Sequence, residues 1–99
     1  MAFNSYKSWL SIIPVGAHTR ASAGTVLTIT LTEDSSVLLI EADDADVRYT
    51  IDGTTPTADI GFLLETSDNV VRLDLYPGAQ VKVLGVGGSV NYQQCRIWA

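Results

Sequence analysis

The sequence predicts an all-β protein, a single β-sandwich of jelly-roll type with about eight antiparallel strands. Three observations carry this. Apolar and polar residues alternate with period two along most of the chain, and no helical period persists. The apolar runs centre near residues 29, 39, 49, 63, 73, 83 and 93, a spacing of roughly ten that suits a sandwich. Between them lie "TEDSS", "ADDAD", "DGTTP", "TSDN", "YPGA" and "GVGG", compositions in which Gly supplies positive φ, Pro presets φ, and Asp, Asn or Ser bonds the nearby backbone. A chain of 99 residues has room for one domain and one core.

Taken in order, residues 1–24, "MAFNSYKSWLSIIPVGAHTRASAG", alternate weakly and end in small residues. They read as an N-terminal arm or edge segment, with the segment around Trp9 as one strand and residues 25–99 as the sandwich proper. In "TVLTITLT", Leu27, Ile29 and Leu31 share one face and the threonines the other. "SVLLIEAD" runs Val37, Leu38, Leu39, Ile40 without alternation; such a strand is covered on both faces, its second face by the N-terminal segment or by another subunit. "VRYTID" turns Val47, Tyr49 and Ile51 inward, and "NVVRLDLY" turns Val71, Leu73 and Leu75 inward. "QVKVLGVGG" alternates through Val83 and changes phase at Gly85, which predicts a bulge. "SVNYQQCRIWA" closes the chain, with Tyr92 and Trp98 on one parity and Cys95 and Ile97 on the other. Pro77-Gly78 suits the two central positions of a type II turn.

Composition excludes several functions. Six basic against eleven acidic residues give a net charge of -5 and a pI near 4.4, which repels a phosphate backbone, so nucleic acid is not an expected ligand. A hydrophobic fraction of 46% is high for so small a chain, and some of it is expected to face a partner. Cys95 is the only cysteine, which rules out an intrachain disulfide and reads as a small buried residue of the last strand. The apolar run in "SWLSIIPV" is short and broken by Pro14, so it is not read as a signal peptide. No run reaches the roughly twenty apolar residues of a membrane helix, and cytoplasmic synthesis is expected.

No stretch names a chemistry. Glu41, Asp43, Asp44, Asp46 and Asp52 are the densest acids, yet they lack the spacing, central Gly and terminal Glu of a calcium loop and read as a solvated turn. Paired carboxylates for glycoside hydrolysis would need a cleft that so small a domain seldom builds. There is no G-x-S-x-G elbow to support a triad with His18, and the glycines of "LGVGGSV" lack a Walker lysine. No catalytic residue, metal ligand or cofactor is therefore assigned. Among Tyr6, Trp9, Tyr76, Tyr92 and Trp98, most are expected to pack in the core or at sheet edges, with Trp9 and Trp98 at a subunit contact. Arg48, Arg72, Lys82 and Arg96 fall on outward parities with Asp52 and Asp74, which predicts cross-strand charge pairs.

The stretch "VRYTIDGTTPTADIGFLL", followed by "LYPGAQVKVLG", resembles a group of short virion proteins of tailed bacteriophages. The residues that carry the resemblance are Arg48, Tyr49, Asp52, Gly53, Pro56, Thr57, Gly61 and Leu63, within residues 40 to 90. It implies a small sandwich that decorates or cements a capsid, often as a trimer, or that sits at the neck or on fibres; of these the capsid role is expected, as a homo-oligomer against the major capsid protein or another virion protein. Its expected location is the capsid surface, with the interface formed by Trp9, Val37, Leu38, Leu39, Ile40 and Trp98. "YTIDGTTPT" is also similar to a signature of Ig-like modules appended to chitin-active enzymes, which implies the rival function of a carbohydrate- or receptor-binding module. In both families the motif is architectural, with Asp52-Gly53 making a turn and Pro56 ending ladder pairing at a corner.

Overall fold

A computed structural model describes residues 12–97. Their strands are β1 (Ile12–Pro14), β2 (Thr19–Ser22), β3 (Leu27–Thr30), β4 (Val37–Asp43), β5 (Val47–Thr50), β6 (Phe62–Leu64), β7 (Val71–Asp74), β8 (Gln80–Leu84) and β9 (Ser89–Ile97). One sheet has the order β1-β9-β4-β7 with β2 also on β9, and the other has the order β3-β8-β5-β6. Every pair is antiparallel.

β1 and β2 lie along the same edge of β9, Ile12 opposite Ile97 and Ser22 opposite Ser89. They are one strand interrupted at residues 15–18, where the amides of Val15 and Gly16 both reach the Gln94 carbonyl, at 2.9 and 3.2 Å. Counted so, the described residues form eight strands in two four-stranded sheets, with the first beside the last and the second beside the seventh. That is the strand order of a jelly roll. β1 and β2 form an edge of this sheet; the strand expected around Trp9 lies outside the described residues, as do Tyr6 and Trp98.

The core forms where the inward parities of the two sheets meet. Leu38, Ile40 and Ala42 of β4 and Val90 of β9 pack against Ile29, Val47, Leu64, Val81 and Val83 from the other sheet. Burying each of these larger side chains is worth roughly 1.5–3 kcal/mol. Leu27, Val71, Leu73 and Leu75 border the cluster as their alternation predicts. Gln94 also faces inward and joins the two sheets by hydrogen bonds: its Oε1 accepts from the Thr32 amide at 3.0 Å and its Nε2 donates to the Thr30 carbonyl at 3.1 Å.

Two local expectations are corrected. Ile51 does not continue the inward row of β5 but is 42% exposed. Thr50 donates its hydroxyl to the Thr54 carbonyl, and the chain turns before Ile51 can meet a partner strand. Gly85 marks no bulge; it opens the β8–β9 turn, where the Gly88 amide donates to the Gly85 carbonyl at 2.9 Å. A Cβ on Gly85 would lie 2.5 Å from the Asp46 carbonyl oxygen, so glycine is required by close approach of two backbones.

The loops gather at two ends. At one, the Gly78 amide donates to the Leu31 carbonyl and the Leu75 amide to the Ser36 carbonyl, and the loop between β5 and β6 lies at this same end. Gly78 has φ 85 and the Ala79 amide reaches the Tyr76 carbonyl at 3.1 Å, the geometry of the expected type II turn. At the other end, the Gly85 amide donates to the Ala23 carbonyl and the Thr66 amide to Asp46 Oδ1.

Candidate functional site

The β5–β6 loop, residues 51–61, is held by its own side chains. Asp52 Oδ1 accepts the Thr54 amide at 3.0 Å, and Gly53 takes φ 88, so the two residues make an Asx turn. Pro56 is buried. Thr57 Oγ1 accepts the amides of Asp59 and Ile60, at 3.1 and 3.0 Å, while the Thr57 amide donates to the Ile60 carbonyl. From the outer face of β5, Arg48 donates through Nε to the Ala58 carbonyl at 3.1 Å and through Nη1 to the Gly61 carbonyl at 2.9 Å. Two rigid donors on one planar group set the loop's return path. Gly61 has φ 121, and a Cβ there would stand 3.0 Å from the Tyr49 carbonyl oxygen.

This bracing leaves an open groove of 460 Å³ whose lining includes Tyr49, Ile51, Asp52, Thr54, Ile60 and Phe62. Its apolar residues do not close over it: Ile60 is 50% and Phe62 62% exposed. The Phe62 ring leans on Tyr49, with centroids 5.6 Å apart and planes at 44°. Partial burial pushes the Tyr49 hydroxyl up. The Asp52 carboxyl is held below its usual range, chiefly by the Thr54 amide. Phe62 sits on β6, the edge strand of its sheet.

The residues expected at an interface are placed differently. Val37, Leu38 and Ile40 are 0% exposed: Leu38 and Ile40 belong to the core, and Val37, opposite Cys95 on the other face of the sheet, is also buried within the chain. They have no area left to offer a partner. Leu39 is half-buried and lines a 110 Å³ hollow with His18, Glu41 and Val70. Trp9 and Trp98 lie outside the described residues.

The acidic run is used structurally. Arg20 bonds both Asp43 and Asp44, and the Ser89 hydroxyl donates to Asp44 Oδ2 at 3.0 Å. The Arg20 hydrogen bond, with help from the Asp44 amide, holds the Asp43 carboxyl low. Asp46 turns to the Thr66 amide. Among the described residues, no group of three or more His, Cys, Asp or Glu side chains is placed to hold a metal ion. The predicted cross-strand charge pairs are also redrawn, because Arg72 pairs with Asp74 two residues along the same strand at 2.8 Å and Arg48 bonds loop carbonyls. Cys95 is buried and its thiol is pushed up by that burial, which disfavours the reactive thiolate.

Sequence reasoning missed the groove. Its one signal was the pair of large apolar residues, Ile60 and Phe62, either side of Gly61 in a stretch otherwise composed as a turn. Compared with family models, curated proteins and solved structures, the chain matches none.

Proposed function

We propose that the protein is a non-enzymatic structural component of a tailed-bacteriophage virion, a homo-oligomer that decorates or cements the capsid at its surface. The observation that carries this reading is the exposed apolar groove between β5, β6 and their loop: large side chains left outward beside a loop braced by Asp52, Thr57 and Arg48. A surface of this kind loses free energy when another protein covers it. The resemblance in residues 40 to 90 names the shell as what covers it, and a jelly roll is a fold that capsid proteins use. Fold alone does not assign a function, so the groove and the resemblance together support the proposal. Binding the assembled shell in preference to free capsid subunits stabilises the shell by mass action.

A sugar-binding platform needs exposed aromatic rings in one plane, and the Tyr49–Phe62 pair is tilted. The capsid reading is therefore preferred. Its test is reconstitution: purified protein added to shells that lack it is expected to bind stoichiometrically and raise their tolerance of heat or chelator, and its mass by light scattering is expected to be a multiple of 10.6 kDa. Unchanged tolerance of the shells overturns the proposal.

A further inference from the structure

We infer that the groove beside Phe62 receives an arginine side chain from the partner protein, its aliphatic stem laid across Ile60 and Phe62 and its guanidinium on the Asp52 carboxylate. The inference rests on the capsid reading only in taking the partner to be a protein surface.

Size comes first. At 460 Å³ the groove is as large as many small-ligand sites and takes one long side chain with room for its neighbours. The walls match an alkyl stem, since Ile51, Ile60 and Phe62 are apolar and open to solvent. Phe62 contacts Tyr49 in a tilted arrangement and stays 62% exposed, so ring surface is open for a planar cation to stack on. A guanidinium stacks on an aromatic face better than an ammonium does, and is more weakly hydrated.

Charge then selects the sign. Among the described residues, Asp52 is the one charged residue lining the groove, and its carboxylate is oriented by the Thr54 amide. Residues 51–68 contain Asp52, Asp59, Glu65 and Asp68 and no Lys, Arg or His. Arg48, the nearest cation in sequence, is committed to the carbonyls of Ala58 and Gly61. Among the described residues no cation pairs with Asp52, and the one that complements this wall is assigned to another molecule. A second copy is the poorer source of that cation, because the chain carries six Lys and Arg against eleven Asp and Glu.

The test uses the full chain and n-butylguanidinium as probe, followed by NMR. Saturable shifts are expected at the methyls of Ile51 and Ile60 and at the Phe62 ring, with n-butanol weaker by about tenfold and butyrate inactive. Asp52→Asn keeps an acceptor for the Thr54 amide while removing the charge, and should reduce the probe's affinity to that of butanol. Phe62→Ala, at an exposed position, should abolish the response. Equal affinity for butanol, no response, or shifts elsewhere on the molecule overturns the inference. So does broadening at the same methyls with rising protein concentration and mass, which would make a second copy the occupant. Particles separate the two proposals: if Asp52→Asn and Phe62→Ala bind shells as the parent does, the arginine inference falls and the capsid reading stands. If the groove takes the probe while the protein binds no shell, the capsid reading falls and the groove keeps its ligand chemistry.

Discussion

At Gly61 the backbone holds φ 121, and an added Cβ would meet the Tyr49 carbonyl oxygen at 3.0 Å and Arg48 Cβ at 3.1 Å. Gly53, at φ 88, has nothing within 4 Å of the same position. Both alanine variants bear the left-handed backbone, but only Gly61→Ala also crowds the β5 main chain, which has to give by a few tenths of an ångström. Gly61→Ala is expected to cost about 2–3 kcal/mol and Gly53→Ala about 1 kcal/mol in urea unfolding; the reverse ranking would contradict this account of the loop. Two carboxylates set the response to acid. Asp43 titrates low because Arg20 donates to it, and Asp52 because the Thr54 amide does. A carboxyl whose pKa is depressed by folding adds stability above its unfolded value of about 3.9, and the gain is lost as pH falls through the folded value. The urea midpoint is therefore expected to stay nearly level between about pH 7 and 5 and to drop below about pH 4. In Asp52→Asn, which keeps the turn and removes the charge, the drop should be shallower, and an identical drop would show that ionisation of Asp52 contributes nothing.

Among the elements, β9 does the most joining: β1 and β2 pair with one of its edges and β4 with the other, while Gln94 reaches across to the end of β3. Gln94→Leu removes both bonds to the Thr30–Thr32 backbone and is expected to lower stability by about 1–2 kcal/mol, with faster amide exchange at Thr32 as the local readout. An effect under a few tenths would mean water replaces the glutamine without loss. Nothing in "NYQQCRI" distinguishes Gln94 from Gln93, because its role depends on which face meets the other sheet. β3, β5, β7 and β8 were legible because alternation is a property of the strand itself, and β4 and β6 as apolar runs between turn signals. β1 and β2 were not, because "IIP" and "TRAS" are ordered by β9, a partner far along the chain. In the run Val37 to Ile40, Val37, Leu38 and Ile40 are buried and Leu39 half-buried; periodicity does not say whether the cover belongs to the same chain, and the interface assignment failed at the three buried residues. The groove was hidden for a related reason. Its walls are apolar residues of a loop, and only the fold of residues 51–61 under Arg48 turns them to one side.

For the molecule as a whole, the jelly-roll order sets how folding proceeds. The first strand pairs with the last, Ile12 opposite Ile97, and β3 pairs with β8, so most ladders close long loops before their contacts reward them. Folding is expected to take milliseconds to seconds, as for other sandwiches dominated by non-local pairing. The order of events follows from what each ladder buries. Val47, Leu64, Val81 and Val83 come together fully buried when β5 joins β6 and β8, which repays the closure entropy with core contacts. β1 offers three residues, none fully buried, at the sheet edge, so it gains little until β9 is already in place. A core truncation such as Val83→Ala is therefore expected to slow folding, whereas Ile13→Ala should chiefly speed unfolding, with a φ-value near zero. Stopped-flow chevrons of the two variants decide the matter: if Ile13→Ala slows folding as much as Val83→Ala, the edge formed by the two ends of the chain belongs to the nucleus, and the sandwich closes from its termini inward.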